Sequence, residues 1–362
     1  MTTDPVVADS DVAAQQPGDV EGGPADELLA TASVLVVIGP GGVGKTTLAA
    51  ALAARAAKVH GRRALVVTVD PARRLADALG TTDLAEEAVL VPTGSEPGRL
   101  WALMVDMGQS WDRLVDRHAP DSETRQQLLN NRLYRMLTQK FTQSHDYIAL
   151  DRLVDLAEQD EYDLLVIDTP PSGHALGVLD APDRMIDFFG SRLLTWLTAP
   201  YRNRLVRTAA TPFLAVAERL LGGPFLDEIA EFFWLFSGLQ PGFAQRARAV
   251  KARLADPATS YVIVQTTQPQ QADRAKELGR AIETRGFSPA LVLVNRTPDN
   301  RVAIVDQAEI DEIQDPELRL AVERLVADAK LPATDWGPIP IQSVPVADDL
   351  TSTHRLIGLL DG

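Results

Sequence analysis

One segment near the N-terminus limits the fold of this chain more than any other. The apolar run VLVVI at residues 34–38 leads into a glycine-rich loop at 39–44, and an alanine-rich stretch with helical character follows from Lys45. Strand, tight glycine loop and helix in this order begin a βαβ unit, in which parallel strands are covered by helices. The segment therefore predicts an α/β protein built on a parallel sheet.

The loop reads GPGGVGKTT and matches the pattern G-x-x-x-x-G-K-[ST] in the structural context that the pattern requires. Glycines let backbone N–H groups surround phosphate oxygens, and the N-terminus of the following helix adds positive partial charge. We expect the Lys45 ammonium to neutralise the β- and γ-phosphates and the Thr46 hydroxyl to ligate Mg²⁺. The predicted cofactors are ATP and Mg²⁺, and the predicted nucleotide-binding residues of the loop are Gly41, Gly42, Val43, Gly44, Lys45, Thr46 and Thr47.

The same glycines also allow a dinucleotide site. Positions 39, 41 and 44 satisfy G-x-G-x-x-G, and Asp70 follows the second predicted strand as a ribose-binding acid would. A dinucleotide site has no use for the Lys-Thr pair directly after the last glycine. We therefore favour the phosphate loop of an NTPase.

Other apolar runs predict the remaining strands. Continuous apolar character fits strands that helices cover on both faces. Two stretches with helical periodicity, at about 108–160 and 183–255, are too long for simple crossovers and predict an inserted helical subdomain. We expect residues 28–362 to form one P-loop NTPase domain of this α/β class. The predicted strands are 34–38, 64–69, 163–167, 261–265 and 290–294, with weaker candidates at 100–105 and 338–341.

Composition adds several exclusions. Residues 1–27 are acidic, without Lys, Arg or aromatic residues, and are predicted to be a disordered tail. The net charge of −15 disfavours nucleic acid as a partner. The chain begins without a secretory signal pattern and has no apolar run of about 18 residues, so we expect a cytoplasmic protein.

Two acids stand where a phosphate-binding enzyme needs them. The strand DLLVI ends at Asp168, which suits Mg²⁺ binding. Asp70 follows the strand ALVVTV, where a carboxylate is able to orient or deprotonate a water molecule. The loop of residues 169–174 is expected to contact the γ-phosphate. An isolated acid at a strand end is commonly a helix cap or a surface charge, but together with the phosphate loop these two favour catalysis.

These motifs resemble the ArsA family of ATPases. GPGGVGKTT is similar to its Walker A loop, VDPARRLADALG to its switch I and IDTPPSGHAL to its switch II, and the resemblance covers about residues 33–350. It implies that Asp70 positions the hydrolytic water, that Asp168 serves Mg²⁺ and that Asn295 contacts adenine. It also implies an adenine-flanking loop at Pro340.

The chain departs from the family at several points. Pro40 stands where the family carries a lysine that reaches the phosphates of a dimer partner, and Arg73 replaces the histidine of the family's DPAH motif. The family's arsenite pumps and its tail-anchor carriers use cysteines, for metalloid and for zinc, whereas this chain has none. Arsenite handling is therefore not predicted.

Three functions follow from the resemblance. The first is a Mg-dependent ATPase whose nucleotide cycle opens and closes a dimer and so gates a client or membrane partner. The second is a slow, nucleotide-holding subunit, because Pro40 removes the trans lysine; a lysine-bearing paralogue in a heterodimer, or Arg73 or Arg74, would then supply the cation. A solvated helix face is the other interpretation of these arginines. The third, a ParA/MinD-like positioning ATPase, is disfavoured by the large helical insertion.

An aromatic stripe bears on the client. Its five residues share one face of a predicted helix, with the acids of that helix on another side. Such a face would suit a groove for an apolar helical client. The alternative is that the stripe packs inside the helical subdomain, and exposure distinguishes the two. The stripe consists of Phe225, Ile229, Phe232, Phe233 and Phe236.

Overall fold

The structure is a computed structural model with one central sheet. Eight strands lie in the order β3-β4-β2-β5-β1-β6-β7-β8, and every neighbouring pair is parallel except β3 with β4. The predicted α/β fold with a parallel sheet is confirmed. The residues that the structure describes are 23–70, 72–82, 84–93, 97–140, 142–170, 175–190, 223–297, 310–311, 313–329, 336–345, 356 and 359–360.

The strands match the predicted runs with two exceptions. β3 was not predicted, because three residues at an edge carry little pattern. The strand expected at 338–341 begins only at Ile341, since Gly337 has a left-handed φ of 62° and the two prolines at 338 and 340 have no N–H to donate. The strands are β1 Val34–Ile38, β2 Arg63–Thr68, β3 Val89–Val91, β4 Arg99–Met104, β5 Leu164–Asp168, β6 Thr259–Thr266, β7 Pro289–Thr297 and β8 Ile341–Pro345.

The central strands are buried on both faces. In β1, Val34, Val36 and Ile38 belong to one buried apolar cluster, and Leu35 and Val37 belong to a second cluster on the opposite face. Side chains of a strand alternate between the two faces of a sheet, so both faces are covered. This explains why the sequence shows continuous apolar runs instead of alternation.

Three N-terminal helices cover the second of these faces. They are α1 Pro24–Thr31, α2 Lys45–Lys58 and α3 Arg74–Leu79. Helix α1 corrects the predicted tail: residues 24–27 belong to the folded domain, and Ala25, Asp26 and Leu29 are buried. The acidic composition concealed this helix, because the sequence does not show that Asp26 pairs with Arg55 of α2. Residues 1–22, the rest of the predicted tail, lie outside the described residues.

The opposite face is covered by the inserted helices and by helix α11, Pro269–Thr284. One buried cluster joins strand residues such as Val36 and Leu65 to Trp111, Phe236 and Phe243 of these helices, so the insertion shares the core of the sheet. Residues 191–222, within the predicted second insertion, lie outside the described part of the chain. The remaining helices are α4 Met107–His118, α5 Ser122–Asn130, α6 Arg132–Lys140, α7 Thr142–Glu158, α8 Ala175–Gly190, α9 Gly223–Ser237, α10 Gln240–Leu254, α11 Pro269–Thr284 and α12 Pro316–Ala329.

Two residues of the aromatic stripe pack inside this helical layer. Phe232 and Phe236 of α9 are 4% and 6% exposed, and Phe236 lies against Trp111 and Phe243. Phe233 is only partly buried, and the Phe225 side chain lies outside the description. Phe232 and Phe236 therefore belong to the core and do not support the predicted client groove, while Ile229 is half-buried. None of the described helices combines the length and the apolar character that a bilayer crossing requires.

Candidate functional site

The strand order brings the predicted motifs to one edge of the sheet. β5 lies between β1 and β2, and Asp168 at its end is level with Val37 of β1 and with Thr68 of β2. The carboxyl ends of these three parallel strands therefore carry the phosphate loop, Asp70 and Asp168 side by side. Ligands of open α/β sheets bind at this edge.

The phosphate loop has the backbone shape that its glycines predict. Gly42 and Gly44 have left-handed φ angles of 79° and 94°, which residues with a Cβ atom rarely adopt. A Cβ atom on Gly44 would also lie 2.3 Å from Nδ2 of Asn295. Helix α2 begins directly after this loop at Lys45, so its N-terminal N–H groups face the loop.

Lys45 folds back beneath the loop. Its side chain is buried, and its Nζ atom donates to the carbonyl oxygen of Pro40 at 3.0 Å. Burial lowers the pKa of Lys45, while the nearby Asp168 carboxyl group acts in the opposite direction. A buried ammonium held by one neutral carbonyl is available to a stronger, anionic partner.

The two carboxylate oxygens of Asp168 differ in their hydrogen bonding. Oδ2 accepts hydrogen bonds from the hydroxyl groups of Thr46 at 2.8 Å and Thr68 at 3.0 Å. Oδ1 is buried and has no hydrogen-bond partner among the described residues. Burial raises the pKa of Asp168 to about 6.

This arrangement fits a magnesium ion. Mg²⁺ is usually held in proteins by one or two side-chain oxygens, together with water and substrate phosphates. The unpartnered Oδ1 of Asp168 and the Thr46 hydroxyl supply such oxygens beside the phosphate loop. Thr68 was not predicted, although a threonine within the apolar run of β2 is a signal that was available.

Asp70 lies in the turn that follows β2. Its Oδ1 atom accepts from the backbone N–H of Ala72 at 2.9 Å, and its own N–H donates to the Thr68 hydroxyl at 3.2 Å. Its Oδ2 atom faces Arg74 at 3.4 Å. The side chain is 24% exposed, so water reaches the carboxylate that was predicted to act on water.

The two arginines after Asp70 have different directions. The Arg73 guanidinium donates to the carbonyl oxygen of Thr82 at 3.0 Å, at the far end of α3. Arg74 lines the cleft beside Asp70. The sequence left both arginines as candidates, and only Arg74 lies at the site.

Asn295 at the end of β7 joins the phosphate loop. Its Nδ2 atom donates to the carbonyl oxygen of Val43 at 2.8 Å, and its Oδ1 atom accepts from the N–H of Arg296 at 2.9 Å. The predicted adenine contact stays a prediction, while the structure shows a contact to the loop. Arg296 has a left-handed φ of 59° and lines the cleft, which the sequence did not indicate.

Pro340 does not line the cleft beside the phosphate loop, and its predicted place beside adenine stays a prediction. It precedes β8, and its carbonyl oxygen accepts from the N–H of Val292, whereas Val344 near the other end of β8 is level with Asn295. The strand starts later than predicted, which places Pro340 away from the carboxyl edge. Pro71 of the predicted switch I and residues 171–174 of the predicted switch II lie outside the described residues.

These elements enclose an open cleft of about 630 Å³. Its volume lies within the range of small-molecule sites, roughly 300–1,000 Å³. Thr169, the first residue after β5, also lines it and is held by a 2.7 Å hydrogen bond from its hydroxyl to the Val37 carbonyl. The lining residues are Gly42, Gly44, Lys45, Thr46, Thr47, Asp70, Arg74, Asp77, Ala78, Thr169 and Arg296.

Several known proteins are similar to this chain in sequence. An uncharacterized protein of Streptomyces coelicolor is 31% identical over 265 residues, covering 72% of this chain and 62% of that protein. The ATPase ARSA1 of Chlamydomonas reinhardtii is 26% identical over 343 residues, covering 87% of this chain and 40% of its own length. The ATPase get3 of Schizosaccharomyces japonicus is 31% identical over 151 residues, covering 41% and 43%.

The chain therefore spans less than two thirds of the length of each of these relatives. The family described as anion-transporting ATPase matches residues 32–307, which is more than half of the chain and includes the phosphate loop, Asp70 and Asp168. On this match and the geometry of the cleft, the chain belongs to the ArsA family of anion-transporting ATPases.

Proposed function

We propose that this chain binds Mg-ATP in the cleft and hydrolyses its terminal phosphate. One observation carries the proposal most directly: a buried carboxylate oxygen, Oδ1 of Asp168, has no partner among the described residues and lies beside the phosphate loop. A buried carboxylate oxygen without a partner is costly unless a cation joins it. Magnesium, when bound, would polarise the phosphate oxygens and offset their charge.

The residues of the chain divide the remaining work. The N–H groups of the phosphate loop and of the first turn of α2 hold the phosphates. Lys45 exchanges the Pro40 carbonyl for phosphate oxygens, since an anion is the stronger acceptor. Asp70 is oriented by the Ala72 N–H and orients the attacking water with its second oxygen.

A nucleotide-driven dimer cycle is part of the proposal. Two of the relatives, ARSA1 and get3, are named as ATPases. We infer that two chains meet across this cleft and that their nucleotide cycle gates a client or membrane partner in the cytoplasm, where ATP is available. The client rests on the family alone, because Phe232 and Phe236 are buried.

A second candidate has a specific observation in its favour. Pro40 occupies the position of the family's trans lysine and offers Lys45 a carbonyl oxygen instead of a cation to a partner. The chain would then be a slow or nucleotide-holding subunit, paired with a lysine-bearing paralogue that supplies the missing charge. The ATPase rate of the chain alone is compared with its rate after such a paralogue is added. A higher rate in the mixture supports this heterodimer over a homodimer.

Calorimetric titration with Mg-ATP tests the binding step. We expect the wild type to bind, and Lys45→Ala to weaken the affinity by about 10-fold or more, because hydrogen bonds to charged groups contribute roughly 1.5–3 kcal/mol. Lys58→Ala is the matched control, since Lys58 ends the same helix about 20 Å away. A wild type that binds no Mg-ATP, or a Lys45→Ala variant that binds as tightly as the control, would contradict the proposed site.

A further inference from the structure

The cations around the cleft are few. Among the described residues that line it, three carry a positive charge, Lys45, Arg74 and Arg296, and they face the carboxylates Asp70 and Asp77. Position 40, which supplies a lysine elsewhere in the family, is a proline. A triphosphate brings about four negative charges, so the cleft needs every cation that can reach it.

Arg74 is placed for this task by the start of α3. It is the first residue of that helix, four residues after Asp70, and its NH1 atom lies 3.4 Å from Oδ2 of Asp70. Its charge also acts on Lys45, whose pKa it helps to lower after the larger effect of burial. Arg74 is therefore near both the predicted water-orienting carboxylate and the phosphate-binding lysine.

The pair between Arg74 and Asp70 is weak. A charge-assisted hydrogen bond is typically about 2.7–2.9 Å long, and this contact is longer, at 3.4 Å. The Arg74 side chain is 65% exposed, and exposed ion pairs contribute little stability. The guanidinium can leave Asp70 at small cost when a more highly charged partner arrives.

We propose that Arg74 is the cis cation that engages the γ-phosphate of ATP. Without nucleotide it rests on Asp70; with Mg-ATP it exchanges the carboxylate for γ-phosphate oxygens, and this frees Asp70 for the attacking water. This inference rests on the proposed function and deepens it. Arg74 is then a catalytic residue, which partly replaces the charge that Pro40 does not supply.

The exchange fits the chemistry of hydrolysis. The water oxygen forms a bond to the γ-phosphorus, and the bond from that phosphorus to the bridging oxygen breaks with its electron pair leaving on ADP. One water proton passes by way of Asp70 to the solvent, and the products are ADP and inorganic phosphate. A guanidinium stabilises the transition state by its attraction to the negative charge on the transferred phosphoryl group.

The test compares Mg-ATP with Mg-ADP in Arg74→Ala and in Arg73→Ala. Arg73 is the matched control, because its guanidinium points to the Thr82 carbonyl. We expect Arg74→Ala to weaken Mg-ATP binding about 10-fold or more while Mg-ADP affinity changes less than about 2-fold, since ADP has no γ-phosphate. Single-turnover hydrolysis by Arg74→Ala should fall about 10³-fold and recover in part when guanidinium ion is added.

Each other outcome has a defined meaning. If the wild type binds Mg-ATP and Arg74→Ala keeps the same preference for ATP over ADP, the inference is wrong while the proposed ATPase stands. Equal losses of ATP and ADP affinity, together with a lower melting temperature, would make Arg74 a structural residue and overturn the inference as well. A wild type that binds neither nucleotide removes the proposed function itself.

Discussion

At the scale of single residues, Asp168 connects burial to ligand binding. Burial raises its pKa to about 6, above the value of about 4 for an unfolded chain. Between these two values the folded state keeps a proton that the unfolded state has lost, so this group makes stability fall as pH rises through that window. At neutral pH without a cation, the ionised carboxylate destabilises the fold.

The substitution Asp168→Asn should therefore stabilise the protein in the absence of Mg²⁺. We expect a gain on the order of 2–3 kcal/mol at pH 7.5, and little gain near pH 4, where the acid is already protonated. Denaturant titrations with a chelator present measure the free energy of unfolding at both pH values. The same gain at both pH values, or a loss at pH 7.5, would show that the carboxyl group is not penalised as described.

The sequence predicted which residues meet at the carboxyl edge of the sheet, while their roles stay predictions. Lys45, Thr46, Asp70 and Asp168 were placed correctly at one edge, because the carboxyl ends of parallel strands meet there. The different directions of the two arginines depend on the turn after β2, which the sequence does not specify. Contacts across the sheet, such as that of Asn295 with Val43, depend on strand order and were not predictable from spacing.

At the scale of elements, α1 is attached to α2 by a buried ion pair. Oδ1 and Oδ2 of Asp26 accept from Nε and NH2 of Arg55 at 2.7 and 2.8 Å, and His60 Nε2 lies 2.8 Å from Oδ1. Burial alone would raise the pKa of Asp26, but the hydrogen bonds from Arg55 and His60 outweigh it and lower that pKa. The stabilisation is therefore present above pH of about 4 and is lost as pH falls below it.

Removing one member of this pair should be costly. Asp26→Ala leaves the Arg55 charge buried without its carboxylate, and we expect a loss of about 3–5 kcal/mol. Glu27→Ala is the control, because that neighbouring side chain is exposed and should change stability by less than about 0.5 kcal/mol. Chemical denaturation at neutral pH compares the two variants; equal stabilities would mean that the Asp26–Arg55 ion pair contributes nothing to the stability of the domain.

Elements with long apolar runs were predicted well, and short or acidic ones were not. β1 was predicted at its observed bounds, whereas β3, with three residues, has too little pattern. Residues 24–27 of helix α1 were assigned to the tail because the segment is acidic and has no aromatic residues, although Asp26 is buried against α2. The sequence showed that α9 has an aromatic face. It did not show whether a client or the chain itself covers that face.

At the scale of the whole molecule, the inserted helices and the sheet form one body. A single buried cluster runs from strand residues such as Val36 to Phe243 of α10. Fold class and family followed from the motifs and their order, which the family match confirms over residues 32–307. The shared core did not follow, because helical periodicity shows that a face is apolar without showing what covers it.

The proposed hydrolysis depends on Asp70 acting on water within this cleft. The most direct measurement is single-turnover hydrolysis of Mg-ATP by the wild type and by Asp70→Asn, with Asp77→Asn as the control carboxylate of the same cleft. The asparagine keeps an oxygen for the Ala72 N–H, so the turn should survive and Mg-ATP affinity should be unchanged. We expect turnover to fall by about 10²–10⁴-fold in Asp70→Asn and to be unaffected in Asp77→Asn. Hydrolysis by Asp70→Asn at the wild-type rate would contradict the proposed action of Asp70 on the attacking water.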